Sequence, residues 1–357
     1  MGVDMMKKIE KRKADHIEVT MEEAVASPHN YWDDIKLVHN SLPELDVDDL
    51  DTSVTLFGKK LSFPLIVTAI TGGYPKAERI NRNIAEACQN LQIGMGIGSQ
   101  RAAIENGSDK SYSVMKEFDI PLKIGNVGAP QLVRQKRKAA FSRDTMKRAL
   151  DMIDADLLGI HLNFLQEIVQ PEGDTNAKGC LSAIRDIAKD LPVIVKETGA
   201  GISNEVALRL KGTGIRGIDV SGTGGTSFSA VEMYRSERMG DGRGAAIGET
   251  FREWGIPAPV SVIWANVGLP LVASGGIGNG VHVAKGIVLG AKCGGVARSV
   301  LREALESPKD VERKLALILE EFKAAMFLTG SRSVNELSKK DYIMTGAVKD
   351  WISQVSK

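Results

Sequence analysis

The stretch LLGIHLNFLQEIVQPEGDTN, residues 157 to 176, joins a short apolar run to a segment crowded with polar side chains. The run LLGI suits a strand buried on both faces, because strands of parallel sheets are almost continuously apolar. His161, Asn163, Gln166, Glu167 and Asp174 follow it in close succession. Burying so many polar groups without a ligand would be costly. The stretch therefore predicts a core strand whose end carries a functional site.

Seven further apolar runs have the same character, ending in small or polar residues and separated by segments of helical length. They are FPLIVTAITGG (63–73), IGMGIGSQ (93–100), LKIGNVGAPQ (122–131), PVIVKETGAG (192–201), GIDVSGTGG (217–225), PLVASGGIG (270–278) and GGVARSVL (294–301). Strands that alternate with helices indicate βαβ units and a parallel sheet. Eight such units predict an α/β fold of the (β/α)8 TIM-barrel type.

The flanks predict additions to the barrel within a single domain. The interval 227–255, after the sixth strand, is rich in Gly, Arg and Glu, so we expect a long, mobile loop insertion with a helix behind it. The predicted division of the domain 1–357 is an N-terminal extension with a few short elements (1–59), the barrel (60–308) and a C-terminal helical segment (309–357). In that segment, one helical face carries Val311, Leu315, Leu319, Phe322 and Met326.

Composition excludes several classes of partner. The 46 Lys and Arg balance 45 Asp and Glu, so we expect neither nucleic acid nor membrane as the main partner. Cys88, Cys180 and Cys293 are far apart and lack the spacing of a zinc site or a disulfide framework. The N-terminus has no apolar segment typical of a signal peptide. We therefore expect a cytoplasmic protein.

The strand ends predict a phosphate-binding site, because the active sites of such barrels lie at the carboxyl ends of the strands. Glycine-rich turns at 221–226, 275–278 and 294–298 supply backbone N–H groups and close approach to a ligand. Lys196 ends the fifth strand and could form a buried ion pair with Glu197. Strand alternation puts those two side chains on opposite faces, which favours a cation in the barrel mouth.

Amide and hydroxyl side chains at other strand ends predict a polar ring. Thr71, Ser99, Gln100, Asn126 and Gln131 could each cap a turn. Together they suit the hydrogen-bonding edge of a planar heterocycle.

Nine motifs in chain order carry a resemblance that is more specific than barrel glycines. They are RKADHI (12–17), AITGG (69–73), GSQRAA (98–103), GNVGAPQ (125–131), HLNFLQEIVQPEGD (161–174), VKETGAGIS (195–203), SGTGGTSF (221–228), ASGGIGNG (273–280) and FLTGSRSVNEL (327–337). This set resembles type 2 isopentenyl-diphosphate isomerase, the flavin-dependent form. The resemblance implies a barrel that interconverts isopentenyl and dimethylallyl diphosphate with reduced FMN and Mg²⁺, without net redox change. NADPH is the expected reductant.

The resemblance also implies roles for individual residues. Glu167 would bind Mg²⁺, and Gln166, His161 and Lys196 are the catalytic candidates. The implied FMN contacts are Ala69, Ile70, Thr71, Ser99, Asn126, Lys196, Ser221, Thr226, Gly275, Gly276, Ile277, Ala297 and Arg298. The implied substrate contacts are Arg12, Lys13, Ser99, Gln100, Arg101, His161, Asn163 and Gln166.

Other interpretations remain open at this point. From composition alone, Arg12 and Lys13 belong to a solvated basic run, and Glu172 and Asp174 suit a turn. The alternative enzyme is an FMN-dependent oxidoreductase on the same barrel, of the 2-hydroxy-acid oxidase or IMP-dehydrogenase type. A non-catalytic flavin-binding or phosphate-binding barrel is a third possibility. The family resemblance implies a homotetramer or larger homo-oligomer.

Overall fold

The computed structural model describes residues 2–107, 109–136 and 138–355, and for residues 2–9, 106 and 355 it describes the backbone alone. Eight parallel strands close into a barrel in which the last strand pairs with the first. The strands are β1 (Leu65–Val67), β2 (Gly94–Gly96), β3 (Lys123–Gly128), β4 (Leu157–Leu162), β5 (Val193–Glu197), β6 (Gly217–Asp219), β7 (Leu271–Ala273) and β8 (Cys293–Val296). Each lies in, or within one residue of, a predicted run, which confirms the (β/α)8 barrel.

Alternation along the strands divides the core into an inner and an outer part. In β5, Val193 and Val195 pack in the outer core beneath the helices, whereas Ile194 belongs to a cluster inside the barrel. Because side chains alternate between the two faces of a strand, Lys196 points to the inside of the barrel, as Ile194 does. By the same rule, Asn126 in β3 points to the inside of the barrel, as Ile124 does. Apolar residues therefore fill the lower barrel, and polar residues occupy its carboxyl end.

A hairpin closes the opposite end of the barrel. Strands Val54–Leu56 and Lys59–Leu61 pair antiparallel, and Leu56 and Leu61 pack into the inner cluster. Both side chains are almost completely buried. This packing seals the amino end of the barrel.

Helices surround the barrel and extend over its mouth. They are α1 (Gly2–Glu22), α2 (Ala77–Leu91), α3 (Arg101–Asn106), α4 (Lys110–Ser113), α5 (Arg143–Asp151), α6 (Phe164–Val169), α7 (Cys180–Ala188), α8 (Asn204–Lys211), α9 (Phe228–Arg238), α10 (Gly242–Thr250), α11 (Ala258–Trp264), α12 (Gly280–Val288), α13 (Leu301–Glu306), α14 (Pro308–Leu328), α15 (Val334–Leu337) and α16 (Gly346–Val355). The predicted apolar face of α14 is confirmed, since Val311, Leu315, Phe322 and Met326 are fully buried and Leu319 is partly buried. None of the helices within the described residues has both the length and the apolar character needed to cross a membrane.

Two expectations about the flanks were wrong in detail. The N-terminal extension is dominated by the long helix α1, and its strand Ile35–Leu37 pairs antiparallel with Tyr342–Met344 near the C-terminus. The insertion after β6 is helical, with α9 and α10 packed together. Ser227 caps the start of α9, because its side-chain oxygen accepts a hydrogen bond from the Ala230 N–H. The division of the domain at residues 59 and 308 stays a prediction.

Candidate active site

A cavity of about 610 Å³ opens at the carboxyl ends of the barrel strands, beneath α1 and α9. Its walls contain all but one of the site residues predicted from the sequence. From the strand ends and loops they are Ala69, Ile70, Thr71, Ser99, Arg101, Asn126, His161, Asn163, Gln166, Glu167, Lys196, Ser221, Thr226, Gly275, Gly276, Ile277, Ala297 and Arg298, and from α1 they are Arg12 and Lys13. Residues scattered over most of the chain therefore meet in one space, although the contacts they make with ligands stay predictions.

Gln100 is the exception, and the structure does not support its predicted contact with substrate. Its side chain is fully buried behind the cavity wall. The amide donates to the Ala149 carbonyl oxygen at 2.7 Å and accepts the Asn126 N–H at 2.8 Å. Gln100 thus supports the backbone of β3 and contributes no surface to the cavity.

His161 lies on the floor of the cavity as a neutral imidazole. Its Nδ1 is 2.8 Å from Oδ1 of Asn126. Burial, followed by the positive charges of Lys196, Lys13 and Arg101, holds the pKa of His161 well below its usual value near 6.5. A neutral ring that donates from Nδ1 to Asn126 leaves Nε2 as an acceptor.

Lys196 enters the cavity, and Glu197 points the other way, as strand alternation predicts. The ammonium group donates to the Glu197 carbonyl oxygen at 3.0 Å, and the Glu197 carboxylate accepts the N–H groups of residues 198–201. Burial raises the pKa of Glu197 to about 7, although these backbone N–H groups oppose the shift. The carboxylate is thus bound by the loop that follows β5, whereas the Lys196 side chain lies on the cavity side.

Three cationic side chains converge at one end of the cavity. Arg12 and Lys13 come from α1, and Arg101 starts α3. Burial, followed by the charges of Arg12 and Arg101, lowers the pKa of Lys13 to about 7. Arg101 is bound by Asp174 at 2.6 Å and Glu105 at 3.0 Å, but Arg12 only approaches Glu172 at 4.0 Å. A buried cationic cluster of this kind is typical of a site for a polyvalent anion.

Glu167 is the one carboxylate of the predicted site that faces this cluster. It is buried, and desolvation raises its pKa even though hydrogen bonds from Asp174 and Asn163 act in the opposite direction. Asn163 donates to it at 2.9 Å, and the Asp174 N–H donates at 2.7 Å. The Asn163 Oδ1 atom is buried without a hydrogen-bond partner among the described residues. A carboxylate beside an unsatisfied amide oxygen fits Mg²⁺, which prefers oxygen ligands and shares them with substrate phosphates.

The described residues contain no cluster of three or more His, Cys, Asp or Glu side chains that could hold a metal by themselves. Any Mg²⁺ at Glu167 would therefore need further oxygens, from Asn163, from water or from a bound phosphate. Glu172 and Asp174 are more than turn residues, because Glu172 accepts from Arg235 and Asp174 pairs with Arg101. These pairs fix the loop that follows α6 against α3 and α9.

The turns after β6 and β7 form the opposite side of the cavity and pack directly on each other. Gly275 has φ +90° and Gly276 has φ +80°, a region that L side chains rarely adopt. A Cβ atom on Gly275 would also lie 2.1 Å from the Gly222 carbonyl oxygen. Position 275 therefore requires glycine for two reasons, its backbone conformation and its close packing against Gly222. The result is a wall of backbone groups beside the cavity, which suits an anion.

Comparison with known proteins decides the family. A family model described as FMN-dependent dehydrogenase matches residues 109–344. The isopentenyl-diphosphate delta-isomerase of Thermoplasma volcanium is 46% identical over 345 residues, which cover 96% of this chain and 99% of that protein. The protein of the same name from Archaeoglobus fulgidus is 43% identical over 346 residues, with 96% and 98% covered. The chain belongs to the isopentenyl-diphosphate delta-isomerase family. Together with the FMN-dependent family model, this membership confirms the type 2 isomerase resemblance.

Solved structures that resemble this member of the isopentenyl-diphosphate delta-isomerase family show the same barrel. A mandelate oxidase variant with 4-Br-2-hydroxy-methylphenylacetate superposes with a TM-score of 0.60 at 19% identity, covering 94% of this chain and 99% of the other. A second mandelate oxidase variant, with 2-hydroxy-phenylacetamide, gives a TM-score of 0.59 at 19% identity, with 96% and 99% covered. At this identity the likeness concerns the fold alone.

Sequence reasoning missed several residues that border the cavity in this isomerase-family chain. His16, Asn30 and Ser299 line it, and Glu232 lies behind Gln166. Ser299 has a buried hydroxyl without a hydrogen-bond partner in the described part of the chain. It directly follows the predicted contacts Ala297 and Arg298, so its position after β8 was a usable signal. Glu232 lies in the insertion that was expected to be a loop, and no sequence pattern connected it with Gln166.

Proposed function

We propose that this protein interconverts isopentenyl diphosphate and dimethylallyl diphosphate with reduced FMN and Mg²⁺, without net redox change. The observation that carries the proposal is the convergence of Arg12, Lys13 and Arg101 on Glu167 at one end of the cavity. A site of this charge suits a diphosphate with a divalent ion. The names of the relatives support the same substrate class.

The cationic cluster would bind and orient the diphosphate. Arg12 and Arg101 are permanently charged, and Lys13 becomes fully charged when an anion beside it raises its pKa from about 7. Burial, and after it the nearby positive charges, lower the pKa of His161, and the same negative charge would offset the second of these two causes. A protonated His161 would then donate from Nε2 to a phosphate oxygen, which is the role we propose for it.

Glu167 would be the protein ligand for Mg²⁺, with diphosphate oxygens completing the shell. Asn163 holds one carboxylate oxygen of Glu167 at 2.9 Å, and the Asp174 N–H holds the other at 2.7 Å. Both donors keep the carboxylate oriented toward the cavity. Bound Mg²⁺ would supply positive charge that neutralises the diphosphate and fixes its position.

The strand ends and the glycine turns would hold FMN. Thr71, Ser99 and Asn126 lie where a planar ring can be bound by its polar edge, and Lys196 would place a positive charge beside that ring. The glycine turn at residues 275–277 and the unsatisfied Ser299 hydroxyl would receive the phosphate. Reduced FMN would supply an electron-rich ring able to stabilise a cation-like transition state and to exchange a proton at a ring nitrogen.

Gln166 would orient the allylic part of the substrate against the ring. Its Nε2 donates to Glu232 at 2.8 Å, which fixes the plane of the amide. A correctly held substrate needs less reorganisation to reach the transition state. Gln166 would thus act by orienting the substrate, and Lys196 would act by placing a positive charge beside the flavin ring.

The competing assignment, a 2-hydroxy-acid oxidase, is supported by the fold and by the family description alone. A monocarboxylate carries a single negative charge and would leave part of the charge of Arg12 and Lys13 unmatched, since Arg101 is already paired with Asp174 and Glu105. A diphosphate matches this charge better, which is why the isomerase is preferred.

The decisive experiment incubates the protein with FMN, Mg²⁺, NADPH and isopentenyl diphosphate without oxygen, and measures dimethylallyl diphosphate. We expect product under reduction and none in an air-oxidised control. Absence of product in both, with flavin bound, would overturn the isomerase. Oxygen consumption with a 2-hydroxy acid would then favour the oxidase.

Three further features belong to the same proposal. NADPH is the proposed reductant, the cytoplasm the proposed location, and a homotetramer or larger homo-oligomer the proposed assembly. Stopped-flow reduction of bound FMN by NADPH and sedimentation of the purified protein test the first and the last.

A further inference from the structure

Residues 25–34, here called the strap, lie between α1 and the strand Ile35–Leu37 and run along two cavity turns, with Ala26, Ser27 and Asn30 reaching the cavity. The Ser27 N–H donates to the Gly225 carbonyl oxygen at 2.8 Å, and the Ser227 N–H donates to the Val25 carbonyl oxygen at 2.8 Å. These bonds join the strap to the turn after β6. The rest of the strap reaches the turn after β7.

Two strap side chains hold consecutive carbonyl groups of that second turn. Trp32 donates from its indole Nε1 to the Gly275 carbonyl oxygen at 2.7 Å. Asn30 donates from Nδ2 to the Gly276 carbonyl oxygen at 2.9 Å. The other amide atom of Asn30, Oδ1, accepts the Trp32 N–H at 3.2 Å and caps the short 3-10 helix Tyr31–Asp34. One amide therefore joins the backbone of Trp32 to the turn.

The direction of these carbonyls decides the direction of the N–H groups that follow them. In a trans peptide the C=O and the next N–H point to opposite sides of the chain. Carbonyls of Gly275 and Gly276 that face the strap therefore turn the N–H groups of Gly276 and Ile277 away from it, and both residues line the cavity. Neither N–H donates to a protein acceptor in the described ranges. Two adjacent free N–H groups form an anion-binding concavity.

We propose that Asn30 and Trp32 are positioning residues for the phosphate group of FMN, acting through the carbonyls of Gly275 and Gly276. The inference rests on the proposed function, which brings FMN to this turn. It goes beyond that proposal, because it assigns recognition of the phosphate to a part of the N-terminal extension that holds the turn through its carbonyl groups.

Trp32 is also fully buried, so its packing alone could matter for the fold. Trp32→Phe keeps an aromatic ring and removes the indole N–H. Asn30→Ser keeps a side-chain oxygen that can cap the short helix and removes the donor to Gly276, without adding charge. Trp264→Phe is the matched control, because Trp264 packs against Trp351 and lies outside the set of cavity residues.

The test compares FMN with riboflavin, which has the same ring and no phosphate. Flavin-free protein is titrated with each, and binding is followed by quenching of flavin fluorescence. We expect Trp32→Phe and Asn30→Ser each to raise the Kd for FMN about tenfold, because a turn that loses one of these bonds no longer holds its N–H groups ready for the phosphate. The Kd for riboflavin should stay within about twofold, as should both values for Trp264→Phe.

Loss of FMN and riboflavin affinity by the same factor would show a general effect on the fold and would overturn the inference, as would unchanged affinity for both. In either case the unaltered protein still binds FMN, and the proposed function stands. If the unaltered protein binds no FMN at all, the proposed function fails and this inference fails with it.

Discussion

The side-chain amide of Gln166 donates a hydrogen bond to the buried carboxylate of Glu232, with 2.8 Å between Nε2 and Oε1. The same oxygen is 2.8 Å from Nε2 of His16, and Arg235 donates to the other oxygen at 2.8 Å. Burial alone would raise the pKa of Glu232, but His16, Arg235 and Gln166 together lower it to about 2. An ionised carboxylate thus joins α1, α6 and α9 over the cavity.

Glu232→Gln should therefore impair both stability and activity. Arg235 and His16 would lose a charged partner in a dry environment, so unfolding should become easier by about 3 kcal/mol. Gln166 would lose its fixed orientation, and kcat should fall on the order of 10²-fold. Denaturant unfolding and the anaerobic isomerase assay measure the two effects. Glu249→Gln removes an exposed carboxylate of α10 and should change neither.

Glu167→Gln should raise the Mg²⁺ concentration that the reaction requires. The substitution keeps the size of the side chain but removes the charge that attracts a hard divalent ion. We expect the apparent Mg²⁺ affinity to fall on the order of 10²-fold, while FMN affinity stays the same. Mg²⁺ titrations of the initial rate test this. Glu117→Gln serves as control, because Glu117 pairs with Arg82 and lies away from the cavity. Equal Mg²⁺ requirements in the two variants would exclude Glu167 as a ligand.

Lys13 should make diphosphate binding depend on pH. Its pKa is lowered to about 7 in the free protein and rises when an anion binds, so binding above pH 7 requires uptake of a proton. The logarithm of Kd for inorganic diphosphate should be insensitive to Lys13 below pH 7 and should rise by up to about one per pH unit above it. In Lys13→Arg the side chain stays charged, so the part of this pH dependence that comes from Lys13 should disappear. Identical pH profiles for both proteins, measured by calorimetry, would contradict the assignment.

Arg238 should help to keep α1 over the cavity. It donates to Glu22 at 3.0 Å and Glu23 at 2.8 Å, which joins α9 to the end of α1. The pairs are partly exposed and weak, so Arg238→Ala should raise the KM for isopentenyl diphosphate only about two- to fivefold. High salt should reproduce part of the effect in the unaltered protein. The matched Arg313→Ala, on the outer helix α14, should leave KM unchanged.

The strand ends were predictable because local patterns encode them. Apolar runs specify strands, and alternation then determines that Lys196 enters the barrel and Glu197 leaves it. The end of such a barrel is where ligands bind, so the cavity residues at the strand ends followed from the fold class, whereas Arg12 and Lys13 followed from the family resemblance alone. The direction of the Gln100 side chain was not predictable, because adjacency to Ser99 and Arg101 does not reveal which way a side chain turns at the end of a strand.

What the sequence alone determined is the barrel, the polar character of its carboxyl end and the family, since these depend on periodicity and on motifs contained in short segments. Only the tertiary structure decided that Glu232 holds Gln166, that Asn30 and Trp32 hold the Gly275 turn, and that the insertion folds as helices over the cavity. These contacts join residues 66 to 246 positions apart. Their partners are selected by packing and by the need to satisfy buried polar groups, which no local pattern records.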